Sequence, residues 1–106
     1  MKKISLSEFK DYYTSSHFNK IIFESHNQTW NSADSSLHIS FEFDKMNILF
    51  NPNVICLQEN TNLLKLKRVK GVKIPDESSL LGQVFIIVCA DMSSHKDEKE
   101  YTLVMR

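Results

Sequence analysis

The sequence is poor in the residues that phosphate loops, nucleophile elbows and disulfide frameworks need. Only two glycines, Gly71 and Gly82, could let the backbone approach a substrate closely, and no glycine-rich loop or Gly-x-Ser-x-Gly motif is present. The two cysteines, Cys56 and Cys89, each lie within an apolar stretch, which predicts buried free thiols in a reducing environment. These features disfavour P-loop enzymes, serine hydrolases and disulfide-stapled secreted proteins.

No charge of one sign dominates, and no apolar run is long. Thirteen basic residues balance thirteen acidic ones, so no global field draws the chain to nucleic acid or to an anionic membrane. The longest apolar run, residues 84–90, is far too short to cross a bilayer, and no apolar stretch follows Lys2 and Lys3. We expect one soluble, cytoplasmic domain over residues 1–106, monomeric or homodimeric, without membrane contact.

Metal binding and catalysis have no recognisable motif. Ser93-Ser94-His95 places a nucleophile type beside a base type, but catalytic triads are assembled by the fold from distant positions. No Cys-x-x-Cys or His-Glu-x-x-His motif is present, and the histidines are scattered, at His17, His26, His38 and His95. We predict no metal, no cofactor and no catalytic residue.

An amphipathic helix is predicted over about residues 6–16. Ser5 and Glu8 have the spacing of a capping box, and Ile4 with Phe9 has that of a hydrophobic staple. Phe9, Tyr12 and Tyr13 then form one aromatic stripe, which favours packing on a sheet over ligand binding.

Seven further stretches have the alternation or composition of strands. The run 84–90 is apolar at every position and predicts a central strand, whose second face would be covered by sheet curvature or by a second copy. In 63–74 the alternation slips, which predicts a β-bulge near residues 68–71. The predicted strands cover about 18–25, 37–43, 46–50, 54–58, 63–74, 83–91 and 100–106. The fold class is α+β: an N-terminal helix packed on a twisted antiparallel meander of six or seven strands. In an alternative form of this fold the sheet is half-closed into a barrel.

The strongest local feature is a basic stretch. Five of the nine residues 65–73 are cationic, namely Lys65, Lys67, Arg68, Lys70 and Lys73. They could contact nucleic-acid phosphates or an acidic protein surface. Lysines on an edge strand also prevent aggregation, so a solvated face without a ligand is a third interpretation. The stretch contains no aromatic residue of the kind that stacks on bases.

Two aromatic residues are candidate anchors for a partner. Trp30 lies in the polar stretch 26–36, where it either contacts a partner or folds back over the edge of the core. Tyr101 belongs to the last predicted strand. Together with the basic stretch, these residues predict a non-catalytic protein-binding module with a protein partner.

Small size and neutral charge are compatible with an inhibitor or accessory factor that acts on a larger bacterial enzyme. Phage inhibitors, including those of CRISPR nucleases, share these general properties, although a likeness in size and charge does not identify a mechanism. The composition favours a bacterial or phage origin. The alternative is a nucleic-acid-binding domain that uses the basic stretch.

Overall fold

The computed structural model describes residues 1–28, 36–76, 82–90 and 98–106. Within these ranges one helix accompanies nine strands, which form a six-stranded sheet ordered β1-β7-β8-β9-β2-β3 and a three-stranded sheet ordered β4-β5-β6. The elements are β1 (Lys2–Ile4), α1 (Leu6–Ser15), β2 (Ile21–Gln28), β3 (Ser36–Phe43), β4 (Lys45–Leu49), β5 (Val54–Glu59), β6 (Asn62–Lys67), β7 (Val69–Ile74), β8 (Gln83–Ala90) and β9 (Glu98–Met105). All strand pairs are antiparallel.

The predicted α+β class is confirmed, with two differences in the sheet. The predicted strand 63–74 is two strands separated by Arg68, and the three-residue β1, too short to show a period, pairs with β7. Only parts of the chain form a meander, because β1 and β2 join the large sheet through the sequence-distant strands β7 and β9. The predicted bulge is confirmed by the register shift between Val69 and Gly71.

Two corners carry the chain from one sheet to the other. β3 continues into β4 through Asp44, and β6 continues into β7 through Arg68, whose φ of 57° is left-handed. Strands that bend in this way let two sheets pack at a steep angle around one core. At the second corner the Val69 N–H donates to the Asn53 carbonyl at 3.2 Å, and the Ala90 N–H donates to the Arg68 carbonyl at 2.9 Å.

α1 begins as its sequence predicts. The Ser5 hydroxyl accepts a hydrogen bond from the Glu8 N–H at 3.1 Å, which satisfies one of the free amides of the first turn. Phe9 is fully buried, with its ring centroid 4.9 Å from that of Phe85 on β8. Tyr12 remains 40% exposed, so the aromatic stripe only partly enters the core.

A single apolar cluster lies between the large sheet on one side and α1 with the small sheet on the other. Phe85, Ile87 and Cys89 supply its centre from alternate positions of β8, and Leu57 and Leu66 reach it from the small sheet. Each fully buried large apolar side chain contributes roughly 1.5–3 kcal/mol. β8 is therefore the organising strand, as the apolar run 84–90 predicts.

Around Val88 the other face of β8 is covered by long side chains of its own sheet. Val88 points to this face and is only 6% exposed. Lys70 and Lys73 on β7 form ion pairs with Glu98 and Glu100 on β9, and because β8 lies between those strands, both pairs pass over it. The aliphatic parts of lysine side chains readily cover apolar surface. Around Val88 neither a closed barrel nor a second copy is needed to explain the burial.

One prediction about the cysteines is wrong. Both thiols are free and Cys89 is buried, but Cys56 is only partly buried. It alternates with Ile55 and Leu57, which face the core, and it lies opposite Asn47 and Lys65 on the outward face of the small sheet.

In the described ranges the chain's helix has ten residues, and no helix is long and apolar enough to cross a membrane.

Candidate functional site

A cleft opens at the corner where β6 turns into β7. Its volume is about 420 Å³, and its walls come from the end of β6 with the corner residue, the end of β8 and the start of β9. The lining residues are Lys65, Leu66, Lys67, Arg68, Cys89, Ala90, Lys99 and Tyr101. We call this the cationic cleft, because four of the eight side chains are positively charged.

The period-two alternation of β6 and the corner explain how the first three cations reach the cleft. Leu64 and Leu66 turn toward the core, so Lys65 and Lys67 point the other way and are exposed. Arg68 then interrupts the strand with its left-handed backbone. Because its carbonyl is bonded to the Ala90 N–H at 2.9 Å, the corner lies directly beside the end of β8.

The fourth cation, Lys99, lies on β9, 31 positions after Arg68 in the sequence. Lys99 lies opposite Cys89 in the β8–β9 pairing, and Tyr101 lies opposite Ile87. The Lys99 ammonium is 5.4 Å from the centroid of the Tyr101 ring, a cation–π distance. Tyr101 is half-buried, and its ring also contacts Phe23 at a centroid distance of 5.5 Å.

The cleft concentrates positive charge that the described part of the chain does not neutralise. No carboxylate belongs to its lining, and Lys65, Lys67 and Arg68 form none of the ion pairs among the described residues. Like charges gathered around one concave surface raise the local concentration of anions and accelerate their association. The arrangement favours an anionic ligand.

Cys89 contributes a buried thiol to the same wall. Burial raises the pKa of the Cys89 thiol to about 11, and the nearby Lys99 ammonium opposes that rise only in part. At neutral pH the side chain is a protonated thiol, and thiols react through their thiolate form. The cleft therefore presents Cys89 as a small apolar surface and not as a nucleophile.

The remaining two cations of the basic stretch lie elsewhere. Lys70 and Lys73 belong to the outer face of the large sheet, where the Lys70 ammonium is 2.7 Å from a Glu98 carboxylate oxygen and that of Lys73 is 2.9 Å from one of Glu100. The hydrogen bond and charge of Lys70 lower the pKa of the Glu98 carboxyl, and those of Glu100 raise the pKa of the Lys73 ammonium. The basic stretch is thus two surfaces, one with free cations and one with paired cations.

The sequence-predicted anchors have different outcomes. Tyr101 joins the cationic cleft, although as a packed ring and not as an open platform. Trp30 lies outside the described residues, as do Ser93, Ser94 and His95. Within the described ranges no group of three or more potential metal ligands occurs.

Lys99 is the residue that sequence reasoning missed. It follows a charged loop in the sequence, and nothing local separates it from Lys96. The usable signal would have been the register of the last two strands, which places Lys99 opposite Cys89 and hence beside the corner.

Comparison with known proteins identifies no relative: no protein-family model, no curated protein and no solved structure matches the chain.

Proposed function

We propose that the protein is a non-catalytic binding module that holds an acidic segment of a partner protein in the cationic cleft. The observation that carries the proposal is the convergence of Lys65, Lys67, Arg68 and Lys99 on one concave surface without a counter-ion among the described residues. Charge complementarity of this kind sets partner choice and association rate. The protonated state of Cys89 supports a binding role over a chemical one.

Carboxylates suit the cleft better than the bases of a single-stranded nucleic acid. Binding of single strands relies on aromatic rings that offer an open face to successive bases. The aromatic ring in the cleft, Tyr101, has Lys99 over its plane and Phe23 packed against it. An acidic segment needs only the cations, of which Lys65, Lys67 and Arg68 are exposed and Lys99 is partly buried.

We extend the proposal to the biological role: the module acts as an inhibitor or accessory factor of a larger enzyme, of bacterial or phage origin, by occupying that enzyme's acidic segment. The chain's small size of 106 residues supports this extension. Nucleic-acid binding through the same four cations is the second candidate, favoured by the clustering of unpaired charge.

The experiment measures direct binding of two defined probes to the full chain. A fluorescein-labelled glutamate-rich peptide and a labelled oligodeoxythymidylate are titrated against wild type at low and high salt. The variant Lys65→Glu/Lys67→Glu/Arg68→Glu reverses three cleft charges. The control Lys2→Glu/Lys45→Glu/Arg106→Glu makes the same change in net charge at exposed positions outside the cleft.

We expect the peptide to bind more tightly than the oligonucleotide, and we expect only the cleft variant to lose peptide binding. If both variants weaken the peptide equally, net charge and not the cleft is responsible, and the proposal fails. Tighter binding of the oligonucleotide, with affinity that falls steeply with salt, establishes the second candidate in its place. Affinity capture from nuclease-treated lysate, with the same two variants, then identifies the partner.

A further inference from the structure

The strand that carries the cleft lysines has an open edge. β6 is the last strand of the order β4-β5-β6, and it pairs with β5 alone among the described strands. In an antiparallel pair every second residue directs its N–H and C=O away from its partner. The free side of β6 therefore presents backbone donors and acceptors in the arrangement that accepts another strand.

Two cavities follow this edge, one behind the other. The cationic cleft contacts residues 65–68, and an apolar groove of about 270 Å³ contacts residues 62–64; the groove is lined by Phe41, Glu42, Phe43, Asn62, Leu63 and Leu64. Consecutive strand residues point to opposite faces, so a cavity that touches three or four in a row lies along the strand's edge. Leu63 and Phe41 are among the most exposed apolar residues of the described chain, at 55% and 54%.

We propose, on the basis of the function proposed above, that the partner's acidic segment binds as an added β-strand along the free edge of β6. Its acidic residues occupy alternate positions facing Lys65 and Lys67, and an apolar residue at one end enters the groove beside Leu63 and Phe41. β6 has six residues, so the added segment is about 20 Å long.

The register of the side chains supports this ligand. Lys65 and Lys67 are two residues apart on one face of β6, and residues directly opposite each other on paired strands are near enough for ion pairs. Acidic residues two apart on the added strand would each meet one lysine. A slip by one residue would turn both acids to the other face of the sheet, so the charges also set the register.

The same lysines argue against a second copy of this chain as the occupant. Two β6 edges paired with each other would gather the four lysines Lys65 and Lys67 of both copies along one short ladder. Lysine on an exposed edge is a common protection against such self-pairing, and it selects for a strand of opposite charge. The edge is therefore suited to pairing with an acidic strand and not with β6 of a second copy.

The test uses four synthetic peptides and the full chain. The parent peptide alternates glutamate with threonine and ends in leucine, and a scrambled peptide has the same composition. Two isomers of the parent carry N-methyl groups on one or the other set of alternate amides. In an added strand only one set faces β6, so one isomer loses its backbone hydrogen bonds and the other keeps them.

We expect one N-methyl isomer to bind about tenfold or more weakly than the parent, and the other to bind like the parent. Bound parent peptide should also slow the hydrogen exchange of alternate β6 amides. If both isomers bind like the parent, strand addition is wrong while the cleft proposal stands. If no peptide binds, including the glutamate-rich probe, the proposed function itself fails.

A matched pair of variants tests the apolar end. Leu63→Ser removes the groove side chain, and Leu49→Ser changes a leucine of nearly equal exposure, 53%, on β4 and outside the groove. We expect Leu63→Ser to weaken the parent peptide by about fivefold and Leu49→Ser to leave it unchanged. Equal effects of the two substitutions would overturn the assignment of the groove.

Discussion

The two halves of the basic stretch have similar sequences and opposite surroundings. Lys65, Lys67 and Arg68, the cleft half, have no ion-pair partner among the described residues. Lys70 and Lys73, the paired half, each bind a glutamate of β9. One set is available to an external anion and the other is neutralised within the fold.

The difference arises at Arg68 and in the bulge that follows it. The left-handed residue moves the chain from the small sheet to the large one, so that the two halves belong to different sheets. The bulge between Val69 and Gly71 then sets which side chains of β7 reach the outer face. A count of charges along a sequence therefore overstates the number of cations that one ligand meets, because the corner within the stretch divides the cations between two surfaces.

The largest expected effect is a difference in peptide affinity between variants of the two halves. Lys65→Glu/Lys67→Glu/Arg68→Glu should weaken a glutamate-rich peptide by about 100-fold, since each reversal exchanges a modest attraction for a similar repulsion. Lys70→Gln/Lys73→Gln should change the affinity by less than about threefold, because those cations are already paired. Fluorescence anisotropy measures both. Comparable losses in the two variants would remove the distinction between the halves.

The wall of the cleft gives the next largest effect, measured through its thiol. Because burial raises the pKa of Cys89 to about 11, iodoacetamide should alkylate it roughly 100-fold more slowly at pH 8 than in the urea-unfolded chain. Lys99→Gln should slow the reaction further, because the Lys99 charge lowers that pKa. Peptide mass spectrometry follows Cys89 and the partly exposed Cys56 separately. Equal rates for Cys89 in the native and unfolded chains would show that the wall is open.

The corner itself gives a smaller effect, on stability. Arg68→Gly relieves a left-handed backbone at which a side chain is unfavourable, whereas Arg68→Val places a β-branched residue there. The valine variant should be less stable than the glycine variant by about 1–2 kcal/mol in urea unfolding. Both substitutions remove the same charge, so electrostatics cancels in the comparison. Equal stability of the two variants would mean that the corner does not require this conformation.

The smallest expected effect concerns the paired half and depends on pH. The lowered pKa of Glu98 stabilises the fold above the ordinary glutamate value of about 4.3, and this contribution is lost as the pH falls through the lowered value. The raised pKa of Lys73 stabilises below about 10.4 and is lost as the pH rises through the raised value. Lys70→Gln/Lys73→Gln should lower Tm slightly between these limits and not at strongly acidic pH. A difference in Tm that persists at acidic pH would show that packing over Val88, and not charge, is lost.

Local patterns in the sequence predicted the local structure well. The Ser5 cap and the bulge before Gly71 follow from neighbouring residues, because caps and slips of alternation depend on short-range geometry. The short turn at Asp44 between two alternating stretches suggests a hairpin, but β3 and β4 belong to different sheets and do not pair. The strand β1 escaped detection because three residues show no period. The left-handed corner at Arg68 has no glycine or asparagine to signal it.

Only part of the candidate site could be predicted, because sequence patterns show neighbours in the chain and not residues that strand pairing brings together. Lys65, Lys67 and Arg68 are neighbours in the chain, so their clustering is visible in the sequence. Lys99 and Tyr101 reach the cleft only because β9 pairs with β8 in one register. Lys70 and Lys73 lie outside the cleft because the corner at Arg68 places them on the large sheet, where Glu98 and Glu100 are within reach.

By itself the sequence determined the α+β class, the central position of β8 and the excess of cations between residues 65 and 73. These properties follow from hydrophobic periodicity and composition, which act over a few residues. The tertiary structure decided which of those cations remain free, because neutralisation depends on carboxylates that are distant in the chain. It also decided that the free cations lie along an open strand edge, since an edge exists only once the order of strands in a sheet is known.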